Sequence, residues 1–277
     1  MNVRLRYVFF TGLVMSAIMS CQNETTGDIN NGKLVIKVTD APFPIELIEN
    51  ASVLITRVEI RSTVDTTGYP YMTLLEDSTE INLMELRNGA TADLLDYELP
   101  VGTYDLIRLY VENASLKLKD GETYTVKVPS GKQTGIKIFL NPGVRIQGGL
   151  TEELLLDFSL DKSFVLKGNM LTPAGIKGFN FKPVIRVTNN STTGTIEGTV
   201  KDTSLLELAN ASVWIEQDSI VANAFTDSTG FYSMIGIPSG FYDILSTKED
   251  YDTMRYENIE IVAGNKMIQD FVLTPLE

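Results

Sequence analysis

The reactive side chains available in number are carboxylates, lysines, tyrosines and hydroxyls, because the sequence holds no histidine and a single cysteine, Cys21. That rules out a Ser-His-Asp triad, a Cys-His pair, an imidazole general base and Cys/His zinc sites. Neither GxxxxGK(S/T) nor a strand-turn-helix GxGxxG is present, so nucleotide-dependent catalysis lacks its phosphate cradle. Glycoside hydrolysis can proceed on two carboxylates alone, about 5–5.5 Å apart for retention or about 6.5–9.5 Å for inversion. Asp157 and Asp161 share a face of a continuous strand, yet at about 3.3 Å per residue they stand about 13 Å apart. Glu152 and Glu153 point to opposite faces of an extended chain. No catalytic residue and no cofactor is nominated.

Metal binding fares no better. Asp227-Ser-Thr-Gly230 offers one carboxylate and two hydroxyls, against the roughly six to eight oxygens that calcium takes. A turn, with the carboxylate capping its own backbone, is the expectation there. Pro238-Ser239-Gly240 reads the same way, proline fixing φ and glycine free to take a positive one.

Binding chemistry has better candidates. In Ala211-Ser-Val-Trp-Ile-Glu216 a period of two puts Ala211, Val213 and Ile215 on one face and leaves Trp214 with Ser212 and Glu216 on the other. An indole on a polar face either docks against protein or offers a stacking platform to a sugar ring. Phe231 is a second outward aromatic, and the Tyr69-Pro70-Tyr71 cluster beside a turn is a third contact candidate.

The elements that must position these residues are β-strands. Segments of four to eight residues alternate or run apolar between Gly, Asn, Asp and Pro punctuation. Strands are expected at 33–39, 51–61, 71–76, 104–111, 114–119, 122–128, 134–140, 153–160, 163–167 and 181–188. A second set is expected at 195–201, 211–217, 220–226, 230–236, 241–247, 257–262 and 267–273. Asp120-Gly121 predicts a hairpin of type I′ geometry, with positive φ at both central residues. Around 81–95 a short helix competes, its first part ending at Asn88-Gly89.

Three blocks recur in order. Gly32-Lys-Leu-Val-Ile-Lys-Val-Thr-Asp40 is echoed by Gly194-Thr-Ile-Glu-Gly-Thr-Val-Lys-Asp202, Asn50-Ala-Ser-Val-Leu-Ile55 by Asn210-Ala-Ser-Val-Trp-Ile215, and Pro100-Val-Gly-Thr-Tyr104 by Pro238-Ser-Gly-Phe-Tyr242. The first two blocks start 18 residues apart in one copy (50 − 32) and 16 in the other (210 − 194). Two related modules follow, 32–188 and 194–277, divided at the polar stretch 187–194. The fold class expected is all-β, two β-sandwich domains.

The N-terminus supplies an address. Arg4 and Arg6 precede an apolar run from Tyr7 to Met19, too short for a spanning helix of about 20 residues, and Ser20-Cys21 follow. Residues 1–20 read as a signal peptide and 21–31 as a polar tether. Ile18-Met19-Ser20-Cys21 resembles a bacterial lipobox, which implies acylation of Cys21 and attachment to a membrane. Glu24 and Asp28 resemble, sparsely, the surface-export signal of lipoproteins from the Bacteroides group. The expected location is the bacterial cell envelope, lipid-anchored to the outer membrane and facing the periplasm or the exterior. The formal charge is −13, becoming −15 once Arg4 and Arg6 leave with the signal, and such acidity argues against nucleic acid as a partner.

Thr226-Asp-Ser-Thr-Gly-Phe-Tyr-Ser-Met-Ile-Gly-Ile-Pro-Ser-Gly-Phe-Tyr242, with Gly194–Val200 before it and Tyr251 after, resembles the carboxypeptidase regulatory-like domain, a transthyretin-like β-sandwich. The resemblance implies a stable β module without catalytic residues, of the kind that accompanies enzymes, transporters and adhesins. Lys37-Val-Thr-Asp-Ala-Pro42, Leu99-Pro-Val-Gly-Thr-Tyr104, Ile107-Arg-Leu109 and Leu156-Asp-Phe158 resemble a domain family of uncharacterised function found in Bacteroides-type lipoproteins, over about 31–188. It carries over no site. The resulting expectation is a non-enzymatic envelope lipoprotein that binds a protein or glycan, with an accessory subunit of a surface assembly as the second reading and a carboxylate-based glycosidase as the third.

Overall fold

A computed structural model of the chain describes residues 30–41, 48–64, 69–128, 133–168 and 175–276. The signal, Cys21 and most of the tether lie outside them. The first module runs β1 (Asn31–Ala41), β2 (Ile48–Ser62), β3 (Tyr71–Leu75), β4 (Thr79–Asn82), β5 (Ala92–Pro100) and β6 (Gly102–Leu118). It continues with β7 (Thr123–Lys127), β8 (Ile136–Ile146), β9 (Thr151–Ser159), the single turn α1 (Leu160–Ser163), β10 (Phe164–Gly168), β11 (Ile176–Phe181) and β12 (Ile185–Asn189). The second holds β13 (Thr193–Asp202), β14 (Ser212–Gln217), β15 (Ser219–Phe225), β16 (Phe231–Pro238), β17 (Gly240–Thr247), β18 (Met254–Ile261), β19 (Lys266–Ile268) and β20 (Phe271–Leu273). The chain is all-β, as its alternating pattern predicts.

In the first module a four-stranded sheet, ordered β12-β9-β1-β5, faces a six-stranded one built on β3-β2-β6-β7, with β4 also on β2 and β8 on β6. Period-two alternation sends Leu34, Ile36 and Val38 of β1 and Leu154, Leu156 and Phe158 of β9 inward. They meet Val58 and Ile60 of β2 and Ile107 and Leu109 of β6 in one shared core. β10 and β11 form a separate hairpin whose Phe164 and Phe181 plug into that core.

The second sandwich repeats this wiring with fewer strands. β13 pairs antiparallel with β16 and parallel with β19 and β20, as β1 pairs with β5 and β9. β14 pairs antiparallel with β17, as β2 does with β6. The recurring blocks hold the same places: Asn31 lies opposite Pro100 and Thr193 opposite Pro238. Gly32 and Gly194 are required for one reason. A Cβ on Gly32 would stand 2.2 Å from the Gln147 carbonyl oxygen, and one on Gly194 2.6 Å from that of Val262.

The modules are packed together. β9 is buried on both faces: Leu154, Leu156 and Phe158 enter the core, while Leu155 and Asp157, on the outer face, lie beneath the second module. Full burial of Leu155 is worth about 2 kcal/mol. β16 crosses here at Gly236, whose φ is +68° and where a Cβ would come within 2.7 Å of Thr188 Oγ1 and 3.1 Å of Leu155 Cδ2. Arg186 grips Asp157 through Nε and Nη2 (3.1 and 2.9 Å) and extends Nη1 to the Gly236 carbonyl at 3.5 Å. β15 and β16, the terminal strands of the two sheets in the second module, come to rest against the first, which shields otherwise open edges. Between β12 and β13 only a 3₁₀ turn, Asn190–Thr192, intervenes.

Several local expectations need correcting. The segments 104–111 and 114–119 are one strand, β6, because a bulge near Glu112 absorbs the break in alternation. The expected strand 181–188 is preceded by the separate strand β11 and itself starts only at Ile185. Residues 81–95 form no α-helix; β4 runs into the 3₁₀ turn Leu83–Glu85, Asn88 and Gly89 take positive φ in a turn, and β5 follows. The Asp120-Gly121 hairpin exists, but only Gly121 takes positive φ. Its N–H bonds Leu118 O and Leu118 N–H bonds Glu122 O, a three-residue loop in place of type I′. Pro238-Ser239-Gly240 does turn the chain without positive φ at Gly240, and β17 starts there.

Candidate binding face

The outer face of the six-stranded sheet gathers a cluster of aromatic and cationic side chains. With Val58 and Ile60 turned inward, β2 presents Arg57, Glu59 and Arg61 outward; with Ile107 and Leu109 inward, β6 presents Leu106, Arg108 and Tyr110. Register aligns them in rows across four strands. Thr73, Glu59, Arg108 and Lys137 form one row, and Tyr71, Arg61, Leu106 and Phe139 the next. Arg57 lies beside Tyr110, and Arg145 extends the face opposite Thr103.

Glu59 anchors the arrangement. It is 2% exposed although it points away from the core, because Tyr69 and Tyr110 donate their hydroxyls to it at 3.2 and 2.9 Å. Arg108 Nη1 reaches it at 3.4 Å and Arg57 Nε at 3.5 Å. A carboxylate taken out of water at this depth is tolerated only when its charge and lone pairs are met. Two cation–π contacts tighten the cluster, Arg57 lying 3.8 Å from the Tyr110 ring centroid and Arg108 3.8 Å from that of Tyr71. Tyr69 and Tyr71 stand 5.3 Å apart. Next to them Arg61 forks onto Asp105 at 2.7 and 2.8 Å, and that guanidinium holds the Asp105 carboxyl below its ordinary range. Tyr69 and Phe139, at opposite margins, remain 60% and 65% exposed.

The expected site residues are thus separated. Tyr69 and Tyr71 belong to this face. Trp214 lies half-buried on the outer face of the β15-β14-β17-β18 sheet, its Nε1 donating to Glu216 Oε2 at 2.9 Å, opposite Leu245 and Asn223. Arg255 joins Glu216, Asp243 and Glu257 beside it, and the contact with the first module is made by β15 and β16. Phe231 sits half-buried on the other sheet of that sandwich, opposite Thr199, so the two aromatics face away from each other. Cys21 lies outside the described residues.

Other candidates resolve into structure. Asp227 accepts from Thr229 N–H, Thr229 Oγ1 and Phe231 N–H at 2.8, 2.7 and 3.1 Å. Burial opposes ionisation there, but these hydrogen bonds outweigh it and lower the Asp227 pKa. Among the described residues no three metal-ligating side chains cluster, and no helix is long and apolar enough to cross a membrane. β9 ends at Ser159 and the chain enters α1, so Asp157 and Asp161 do not share one strand; Asp157 is engaged by Arg186. A signal for the Glu59 cluster lies in the alternation itself: charges at 57, 59 and 61 share one face of the expected strand 51–61.

Fold and face together define an all-β protein of two docked sandwiches bearing a surface patch of aromatic and cationic groups. The chain belongs to the family described as Domain of unknown function (DUF4382), whose model matches residues 31–183. Residues 195–274 match the Carboxypeptidase regulatory-like domain. No curated protein matches. Among solved structures, the Bacillus anthracis TIE protein is 15% identical, over 89% of this chain and 34% of that one, with a TM-score of 0.26. The 3-chlorocatechol 1,2-dioxygenase of Rhodococcus opacus 1CP is 12% identical over 31% and 62%, with a TM-score of 0.25. The minor pilin GBS52 of Streptococcus agalactiae is 11% identical over 89% and 97%, with a TM-score of 0.25. The chain spans about a third of the length of the first and under two thirds of the second. At these scores the likenesses say nothing about function.

Proposed function

We propose that the chain is a non-enzymatic module of the bacterial cell envelope, held to a membrane by lipid on Cys21, that engages an extended partner with the outer face of its six-stranded sheet. One observation carries the reading. The second module covers β9 and β12 on the outer face of one sheet of the first, and the other sheet keeps a preorganised aromatic and cationic face with Tyr69 and Phe139 exposed at its margins. Side chains locked by Glu59 and by stacking lose little freedom when a ligand arrives. Trp214, tied to Glu216, is a structural residue in this account.

An accessory role in a larger surface assembly is the second reading, favoured by the contact of Gly236 with Leu155 and Thr188, which fixes the two modules as a stiff spacer. The first reading is tested by comparing envelope association of the full chain with that of a Phe139→Ala, Tyr69→Ala variant in a Cys21→Ala background. Loss of the remaining association supports the face; unchanged association removes it. Intact mass of the mature protein, with or without fatty acid, tests the anchor separately.

A further inference from the structure

The chemistry of the face narrows its ligand. Five cations, Arg57, Arg61, Arg108, Lys137 and Arg145, stand there against three carboxylates, Glu59, Asp105 and, at the bulge of β6, Glu112, in a chain of net charge −13. Farther along the same sheet the excess of cations ends, with Ser52 donating to Glu80 and Lys117 paired with Glu49. An acidic ligand is repelled by most of this molecule and admitted at this end of the sheet. The layout also bears on its nature. Protein interfaces favour aromatic residues and arginine at their centre and deplete lysine and carboxylates there. Here two carboxylates, Glu59 and Asp105, stand in the middle with Arg108 and Arg61, while Lys137 and Arg145 share the β8 margin with Phe139, and Tyr69 and Tyr71 line the other. A hydrated ligand suits that order, its hydroxyls and carboxylates over the charged floor and its ring faces on the aromatics. The margins are β3 and β8, three strand spacings apart, on the order of 14 Å at about 4.8 Å each. That span takes a few sugar rings in a row.

We infer that this face binds an acidic polysaccharide, a uronate-bearing glycan lying across β3, β2, β6 and β8. Its carboxylates meet Lys137, Arg145 and the open side of Arg57, and its rings rest on Tyr69, Tyr71 and Phe139. The inference rests on the face being the binding surface, and the test separates the two.

The full chain is titrated calorimetrically with oligomers of polygalacturonate, alginate and hyaluronate, and with methyl-esterified polygalacturonate. Phe139→Ala and a Lys137→Ala, Arg145→Ala double variant are run alongside, with circular dichroism confirming the fold of each; these side chains are exposed. The expected result is binding of at least one acidic polymer, weakening with salt, about tenfold weaker in each variant and absent for the ester. Equal binding of acid and ester overturns the acidic class and leaves the face standing. Acid binding indifferent to all three substitutions overturns the face. No binding across the panel overturns the glycan; a protein then cross-linked from native envelopes through Phe139 retains the face, and failure of that capture removes both.

Discussion

Tyr242 donates its hydroxyl to the carbonyl of Pro238 at 2.9 Å, the residue four positions before it in the same turn. Tyr104 does the same to Pro100 at 3.0 Å in the other module. The two bonds explain why Pro-x-Gly-x-Tyr recurs: each fixes the corner at which the chain leaves one sheet for the other. Tyr104→Phe and Tyr242→Phe keep the ring and lose the bond, so each is expected to lower stability by about 1 kcal/mol in urea unfolding. An unchanged midpoint in both contradicts the role.

Burial raises the pKa of both phenols. A raised folded pKa means stability that is complete below the unfolded value of about 10 and is lost as pH rises through the folded value. Unfolding followed by denaturant from pH 9 upward is expected to show a falling midpoint, and the fall is expected to shrink in the double Phe variant.

Asp227 has the opposite sign. Its folded pKa is depressed, so its contribution is present above the unfolded value of about 3.9 and is lost as pH falls through the folded one. Asp227→Ala removes three hydrogen bonds from the turn before β16 and is expected to cost about 1–2 kcal/mol at neutral pH. The difference between variant and parent should narrow on acidification; a constant difference down to the acid transition would count against the turn as its source.

Glu59→Gln keeps shape and removes the charge that Arg57 and Arg108 share. Half-buried Arg108 and the more exposed Arg57 lose a charged acceptor, which is expected to cost about 2 kcal/mol, the largest loss expected of any outward-facing residue here. Thermal melts of purified variants decide it, with Glu80→Gln, on the same sheet and exposed, as the reference.

Gly236→Ala places a methyl group against Thr188 and Leu155 at a φ that L-residues resist. The expected outcome is module separation: a second calorimetric transition and faster proteolysis at residues 189–193. A single unaltered transition would show that the crossing at Gly236 does not hold the modules together.

Much of this architecture was legible in the sequence because it is written in period two and in turn chemistry. Ala51, Val53 and Ile55 alternate inward as Ala211, Val213 and Ile215 do, and all six are fully buried. What alternation hides is a bulge, which is why β6 reads as two strands, and a short strand beside glycines, which is why β11 goes unread. Leu155 shows a subtler limit: its neighbours Leu154 and Leu156 make a continuous apolar run, and only the second module explains why both faces are covered. The binding face was half visible. Tyr69 and Tyr71 stand out by type, whereas Glu59, Arg57 and Arg108 look like any solvated strand face until register brings β3, β2, β6 and β8 side by side.

The most direct test places a photo-reactive residue at Phe139 and, in a separate protein, at Trp214, and irradiates intact cells. Capture of a ligand from position 139 and none from position 214 is the result expected of a working six-stranded face. Capture from position 214 alone would contradict it and move the binding surface to the second module.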